Sequence, residues 1–303
     1  MSISLIIVNF DVYDNLYHAL KSITAVNAVF KYEIVVVDNQ PQQTSIDKIA
    51  ADFPNVKYIK QPFNLGFGRA NNVGAKNSDS QYLCFLNPDT ILTEDFISPI
   101  LEFMEKNENV GVCAPMLVYE DRSYQSSVGF RMGLIYEFME ATMLIEIYRK
   151  ILKRKYLKLR QNHIPVRVGW VSGACMTVKR SVFEKVGGFT EDYFLNYEDI
   201  DICRKIEDAG YLNYYFPFLE CIHLDHKSFE RNYELLVFSR YESRLIYANL
   251  HYNILTRILV RLIHINGLIL RLSTSWILFR GSEKKGRFSG YFKSLKLYIG
   301  VKP

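Results

Sequence analysis

The chain has 303 residues, 49% hydrophobic and 23% charged, a balance that supports a sizeable core and excludes a disordered polypeptide. Its five cysteines (Cys84, Cys113, Cys175, Cys203 and Cys221) are odd in number and widely spaced, with no Cys-x-x-Cys pair. That excludes a disulfide framework and a cysteine zinc site, and fits a reducing, cytoplasmic setting. The net charge of +5 is uneven: residues 251–303 hold ten Lys/Arg against the single acid Glu283, leaving 27 basic and 31 acidic groups in residues 1–250.

The first ninety residues alternate strand and helix patterns. Residues 3–8 form a continuous apolar run, as in a strand covered on both faces. The run is too short for a signal peptide and has no basic n-region before it. Leu16, Ala19, Leu20 and Ile23 follow at helical spacing. Residues 33–38 read as a second buried strand ending in an acid, 56–59 as a short third, and 68–76 as a helix. Residues 82–86 then form a strand that runs into Asn87-Pro88-Asp89. Proline lacks a backbone donor and biases its predecessor toward an extended conformation, so the strand stops there with the Asp89 carboxylate at its carboxyl end.

This βαβ alternation predicts an α/β fold with a mostly parallel central sheet and right-handed crossovers. Ligands bind such sheets at the carboxyl ends of the strands, so Asp38 and Asp89 are expected to face one cleft. Asp89 suits a hard divalent cation carrying phosphates. The plainer alternative is that Asp89-Thr90 caps the helix suggested by Thr93-Glu94-Asp95. Between the two acids, residues 64–72 combine Gly66 and Gly68, which permit close backbone approach, with Arg69, which suits a phosphate. A glycine turn opening a helix explains the stretch equally well. It is not a dinucleotide fingerprint, whose third glycine would fall on Asn71.

Residues 94–106 read as a helix and 110–115 as a strand. Residues 130–162 interrupt the pattern as a helical insertion, apolar at first and then carrying seven basic residues within 149–160. Such a basic amphipathic segment suits an anionic membrane surface, or else a solvated insertion. In 166–177, Gly169-Trp170-Val171-Ser172-Gly173-Ala174-Cys175 keeps backbone close to core packing or to an acceptor. A helix at 181–186 ends at Gly187-Gly188.

Asn196-Tyr197-Glu198-Asp199-Ile200-Asp201 opens a helix that ends at Gly210. Acids in a first turn complement the macrodipole, and Asp201–Lys205 and Arg204–Asp208 are ordinary i,i+4 pairs, which accounts for Asp201. Three acids in four positions exceed what capping requires, so a carboxylate general base is the sharper hypothesis. After a strand at 212–216 comes Glu220-Cys221-Ile222-His223-Leu224-Asp225-His226, where His223 is either a metal ligand or structural. The tail at 254–279 is apolar but contains Arg257, Arg261 and Arg271, which argues against spanning a bilayer and for helices lying on its cytoplasmic face. A helical cap packed on the main domain is the alternative. Interleaved Leu and Ile favour membrane over nucleic acid. The expected domains are 1–250, carrying the insertion, and a basic amphipathic tail, 251–303.

Taken in order, these segments resemble the inverting family 2 glycosyltransferases of the GT-A fold, in their bacterial rhamnosyltransferase-like branch. The resemblance rests on Ile6-Ile7-Val8-Asn9-Phe10, Val36-Val37-Asp38-Asn39, residues 64–72, Leu86-Asn87-Pro88-Asp89, residues 170–175, Gly187-Gly188-Phe189 and residues 197–201, and it covers about residues 3–230. It implies a nucleotide-sugar donor, dTDP-rhamnose first and a UDP-sugar second. Asp38 would accept the N3–H of the pyrimidine, with Asn9, Asn39, Gly66 and Arg69 in the nucleotide pocket. Asp89 matches the last acid of the metal-binding D-x-D motif, whose first acid is here Asn87. His223 falls where some relatives supply a further ligand to Mg2+ or Mn2+. Asp199 matches the catalytic base, which would take the proton of an acceptor hydroxyl on a growing, lipid-linked surface glycan. The competing readings are a nucleotidyltransferase, against which residues 9–16 lack a Gly- and Lys-rich loop, and an inactive membrane-surface scaffold, which Asn87 would permit.

Overall fold

A computed structural model of the chain describes residues 1–26, 29–40, 43–225, 232–278 and 281–302. His226 and Phe279, each within a stretch singled out above, lie outside the described residues. In chain order the first elements are β1 (Ser2–Asn9), α1 (Tyr13–Ala25), β2 (Lys31–Asp38), α2 (Gln43–Asp52), β3 (Lys57–Lys60), α3 (Phe67–Lys76) and β4 (Tyr82–Leu86). Next come β5 (Thr90–Ile91), α4 (Ile97–Lys106), β6 (Val110–Val118), β7 (Val128–Gly129), α5 (Leu134–Ala141) and α6 (Ile145–Leu159). The chain continues with β8 (Val166–Val168), β9 (Trp170–Val171), β10 (Cys175–Lys179), α7 (Arg180–Lys185), α8 (Glu198–Asp208), β11 (Leu212–His223), α9 (Tyr233–His251), α10 (Ile254–Leu278) and α11 (Gly281–Tyr298).

Two compact units emerge. The first comprises residues 1–131, 152–191 and 198–226. The second comprises 132–151, 192–197 and 227–303, so α5, α9 and the start of α6 group with the tail helices.

The first unit is built on a sheet ordered β3-β2-β1-β4-β10-β6-β11-β5, with β8 also on β11. Strands β3, β2, β1, β4, β6 and β11 point one way. β10 runs against both of its neighbours, β4 and β6, because the chain enters it from the insertion and short β9 instead of from a crossover helix. Seven of the eight residues of β1 are buried and β4 is buried throughout, as strands covered on both faces require. The predicted Leu16, Ala19, Leu20 and Ile23 form the buried face of α1. α3 lies so close to β1 that a Cβ at Gly74 would come within 2.4 Å of the Ile6 side chain.

Several boundaries differ from expectation. β6 and β11 run on to Val118 and His223 as mutual partners, the ladder extending both strands beyond their apolar runs. The helix expected from Glu94 starts at Ile97. Asp95 caps it, its Oδ1 accepting from the N–H groups of Ile97 at 3.1 Å and Ser98 at 2.9 Å. Asp89 is therefore not the cap. α2 has too weak an apolar pattern to have been anticipated.

In the second unit, α11 packs on α9 and α10, and α10 also on α5. Its core joins Val237, Tyr241, Leu268, Tyr291 and Tyr298. Among the described residues no helix is long and apolar enough to cross a membrane.

Candidate active site

The carboxyl edge of the sheet collects the polar groups. Register places Asn9, the last residue of β1, beside Asp38, the last of β2. Both are fully buried, and Asn9 Nδ2 donates to Asp38 Oδ1 at 3.0 Å. The hydroxyl of Tyr13 lies 3.4 Å from each Asp38 oxygen. Burial pushes the Asp38 carboxyl up, opposed by the hydrogen bonds from Asn9 and Tyr13. Asn39 secures the next loop: its Nδ2 donates to Asn64 Oδ1 at 2.8 Å and its Oδ1 accepts from Leu65 N–H at 2.9 Å. Gly66 stands at φ +82°, a conformation side chains resist, and turns the chain into α3. Arg69 Nε donates to the Glu191 carbonyl at 2.7 Å, and its side chain is half exposed.

At the end of β4, Asn87 N–H donates to the Ala174 carbonyl at 2.9 Å, and Thr90 turns back on Asn87 through its N–H and hydroxyl. The turn swings Asp89 beside His223, the last residue of β11, which pairs across the ladder with Thr90. Asp89 Oδ1 lies 3.2 Å from His223 Nε2, and Asn87 Nδ2 lies 3.1 Å from the same nitrogen. His223 Nδ1 lies 2.9 Å from Gln125 Oε1. Among the described residues no three His, Cys, Asp or Glu side chains are grouped so that they could hold a metal ion by themselves. An aspartate oxygen and an imidazole nitrogen facing one point fit a divalent cation that takes its remaining ligands from phosphates and water.

The third group opens α8. Asp199 Oδ2 accepts from Gly173 N–H at 3.1 Å and Oδ1 from Ile200 N–H at 2.8 Å. A Cβ at Gly173 would sit 3.1 Å from the Phe67 ring and 3.4 Å from Asp199 Cβ, so the small residues after β9 bring a backbone donor to a carboxylate. Burial raises the Asp199 carboxyl, while these N–H groups work to hold it ionised. Glu198 is pushed up to about 8, by burial first and then by the Asp199 charge. Its Oε2 is buried with no hydrogen-bond partner among the described residues. Burial thus raises both carboxyls, and Asp199 is the one that the Gly173 and Ile200 N–H groups serve. Asp201 is fully buried, accepts from the Thr190 hydroxyl at 2.6 Å and faces Lys205 at 3.7 Å, which is the structural role its spacing predicts.

The structure thus joins Asn9 to Asp38, Asn39 to the Gly66 loop, and His223 to both Asp89 and Asn87; it engages Arg69 with Glu191. Asn64, the first residue of the 64–72 segment, completes one of these groups, and Tyr13 and Gln125 complete two others that were not anticipated. Tyr13 lies just beyond a segment already singled out, whereas Gln125 sits in a polar stretch with no periodic pattern.

Residues 4–187 match the family described as glycosyl transferase family 2. The chain is 28% identical over 201 residues to the N-acetylglucosaminyl-diphospho-decaprenol L-rhamnosyltransferase of Mycobacterium tuberculosis, covering 63% of this chain and 66% of that protein. It is 27% identical to the rhamnosyltransferase WbbL of Escherichia coli, covering 64% and 74%. It is 25% identical to the dTDP-rhamnosyl transferase RfbF of Shigella flexneri, covering 67% and 64%. The chain therefore spans about two thirds of the length of such relatives. Among solved structures, GalNAc-T7 with UDP, GalNAc and Mn2+ superposes with a TM-score of 0.62 at 15% identity, over 99% of this chain and 56% of that one. The mannosyltransferase PcManGT of Pyrobaculum calidifontis, with GDP-Man and Mn2+, gives 0.58 at 14%, over 98% and 82%. At such identities the likeness concerns the fold, that of GT-A glycosyltransferases.

Proposed function

The chain belongs to glycosyl transferase family 2, and from that premise we propose that it transfers a sugar with inversion from a nucleoside diphosphate donor to a hydroxyl of a lipid-linked glycan. The favoured donor is dTDP-rhamnose, in keeping with the names of its relatives. The observation that carries the reading is the Asp199 carboxylate at the opening of α8, held by the N–H groups of Gly173 and Ile200 beside the buried Glu198. Asp199 takes the proton of the acceptor hydroxyl as that oxygen bonds to the anomeric carbon. The bond from that carbon to the phosphate oxygen breaks, and the diphosphate leaves with the electron pair.

Asp38 accepts the N3–H of the pyrimidine in place of its long contacts to Tyr13, with Asn9 fixing the carboxylate and Asn39 the adjoining loop. Arg69 leaves Glu191 to meet a phosphate. Asp89 and His223 would hold a divalent cation, Mg2+ or Mn2+, which when bound would supply positive charge for the departing diphosphate. Peripheral attachment to a membrane draws support from Ile254, Leu255, Ile258, Leu259 and Leu262, all exposed on a helix with no acidic residue.

The test is turnover with dTDP-rhamnose, UDP-glucose and GDP-mannose on a lipid diphosphate acceptor, with and without EDTA, alongside thermal shifts with the free nucleotides. Transfer from dTDP-rhamnose that EDTA abolishes is the expected result. Preference for UDP-glucose overturns the donor assignment, and a folded protein that neither transfers nor binds any nucleotide overturns the enzyme reading in favour of a scaffold. Removing the tail would strip Leu268, Tyr291 and Tyr298 from Val237 and Tyr241, so the membrane contact is better tested by Ile258→Glu/Leu262→Glu. That variant should no longer sediment with vesicles containing phosphatidylglycerol; unchanged sedimentation sinks the contact.

A further inference from the structure

We infer that Gln125 is a positioning residue that sets the tautomer and aim of His223 and so determines how well the site holds a transition-metal cation; this rests on the cation reading above. Imidazole offers a lone pair from Nε2 only when its proton sits on Nδ1, and the partner of Nδ1 decides where that proton is. That partner is Gln125 Oε1, 2.9 Å away. Oriented in this way the amide oxygen only accepts, so it holds the proton on Nδ1 and leaves Nε2 facing Asp89 Oδ1 at 3.2 Å.

Gln125 is itself only 7% exposed, so water is a poor substitute for it. Its placement is rigid. Its N–H donates to the Leu117 carbonyl at 3.0 Å, and Leu117 pairs with Cys221, two residues before His223, in the β6–β11 ladder. Ligand and partner are thus held in one sheet register. A neutral amide also fixes the ring without adding a second negative charge beside Asp89.

A nitrogen ligand matters more to Mn2+ than to Mg2+, which prefers oxygen throughout. Loss of Gln125 should therefore weaken Mn2+ more than Mg2+. The experiment is titration of free Mn2+ by electron paramagnetic resonance in the presence of saturating dTDP or UDP, with Mg2+ competition, for the wild type, Gln125→Leu, Gln125→Glu, His223→Ala and the double variant Gln125→Leu/His223→Ala. Gln125→Leu should lose about 10–100-fold in Mn2+ affinity and clearly less for Mg2+. Gln125→Glu, which still accepts from Nδ1–H, should restore binding, and the double variant should bind no worse than His223→Ala alone. Nitrogen-15 spectra of His223 in the Mg2+ form should show the Nδ1–H tautomer in the wild type and its loss in Gln125→Leu. Equal Mn2+ affinity in the wild type and a folded Gln125→Leu overturns the role of Gln125 while leaving the cation site intact. A wild type that binds no Mn2+ at this site overturns both.

Discussion

Two regions of the molecule bury a pair of acids, and they treat them in opposite ways. In the sheet unit, Glu198 and Asp199 are adjacent at the opening of α8 with backbone N–H groups as their counterweight, and both carboxyls are raised, Glu198 to about 8. In the helical unit, Glu137 and Glu140 sit one turn apart on α5, and Arg244, 2% exposed, lies 3.3 Å from the first and 3.6 Å from the second. Arg244 Nη1 also donates to His264 Nδ1 at 3.2 Å, and His264 Nε2–H donates to Glu137 at 2.8 Å. Burial works to raise the Glu140 carboxyl, but Arg244, followed by Arg149, Arg240 and Arg271, holds it below its usual value. The difference separates two uses of buried charge. Where a cation compensates it, the carboxyl is held ionised; where none does, burial raises it.

Removing the compensation should have the largest effect on stability. Arg244→Met takes from Glu137 its buried arginine and leaves Glu140 with only Arg149, Arg240 and Arg271, and should cost about 3–5 kcal/mol in urea unfolding; a loss under 1 kcal/mol would show that the cluster is not what anchors the helical unit. Asp199→Asn should do the reverse, leaving stability nearly unchanged while turnover falls about 100–10,000-fold. Turnover like the wild type's would remove Asp199 from the role of base.

Glu198→Gln comes next. The folded state holds a proton on Glu198 up to about pH 8, whereas an unfolded glutamate releases it near 4.5, so stability falls as pH rises between those values. A neutral amide escapes that loss and should be on the order of 2–4 kcal/mol more stable than the wild type at pH 9, relative to their difference at pH 4. Parallel stability–pH curves for the two proteins would contradict the raised carboxyl.

Much of the sheet unit can be read in the sequence, because a buried strand announces itself as an apolar run and its end as the first residue that breaks the run. Asp38, Asp89 and His223 were all singled out as candidates in that way. Glu198 and Asp199 stood out because the helix start holds more acids than capping uses. The direction of β10 could not be read, since apolar content says nothing of which way a strand points. Gln125 was invisible for a related reason: its meaning comes from the β6–β11 register, which joins residues about a hundred positions apart. The Arg244 cluster was hidden similarly. Helical spacing marks Glu137, Arg244 and His264 as ordinary residues on three separate helices, and only packing makes them one network.

His264 gives that network a signature of opposite slope to that of Glu198. Burial lowers its pKa first and the Arg244 charge second, to about 4 from an ordinary value of 6.5, with the hydrogen bond to Glu137 opposing both. The unfolded chain therefore takes up a proton between pH 6.5 and 4 that the folded chain refuses. The associated stability is complete above about pH 6.5, is lost as pH falls toward 4, and changes no further below that. The loss should amount to about 1–3 kcal/mol. His264→Gln is expected to be less stable at every pH because it cannot serve Arg244 and Glu137 together, yet its acid limb should be flatter than the wild type's. Denaturant unfolding from pH 4 to 7 reads the slope separately from the offset. An acid limb as steep in His264→Gln as in the wild type would place the titrating group elsewhere and leave the neutrality of His264 without support.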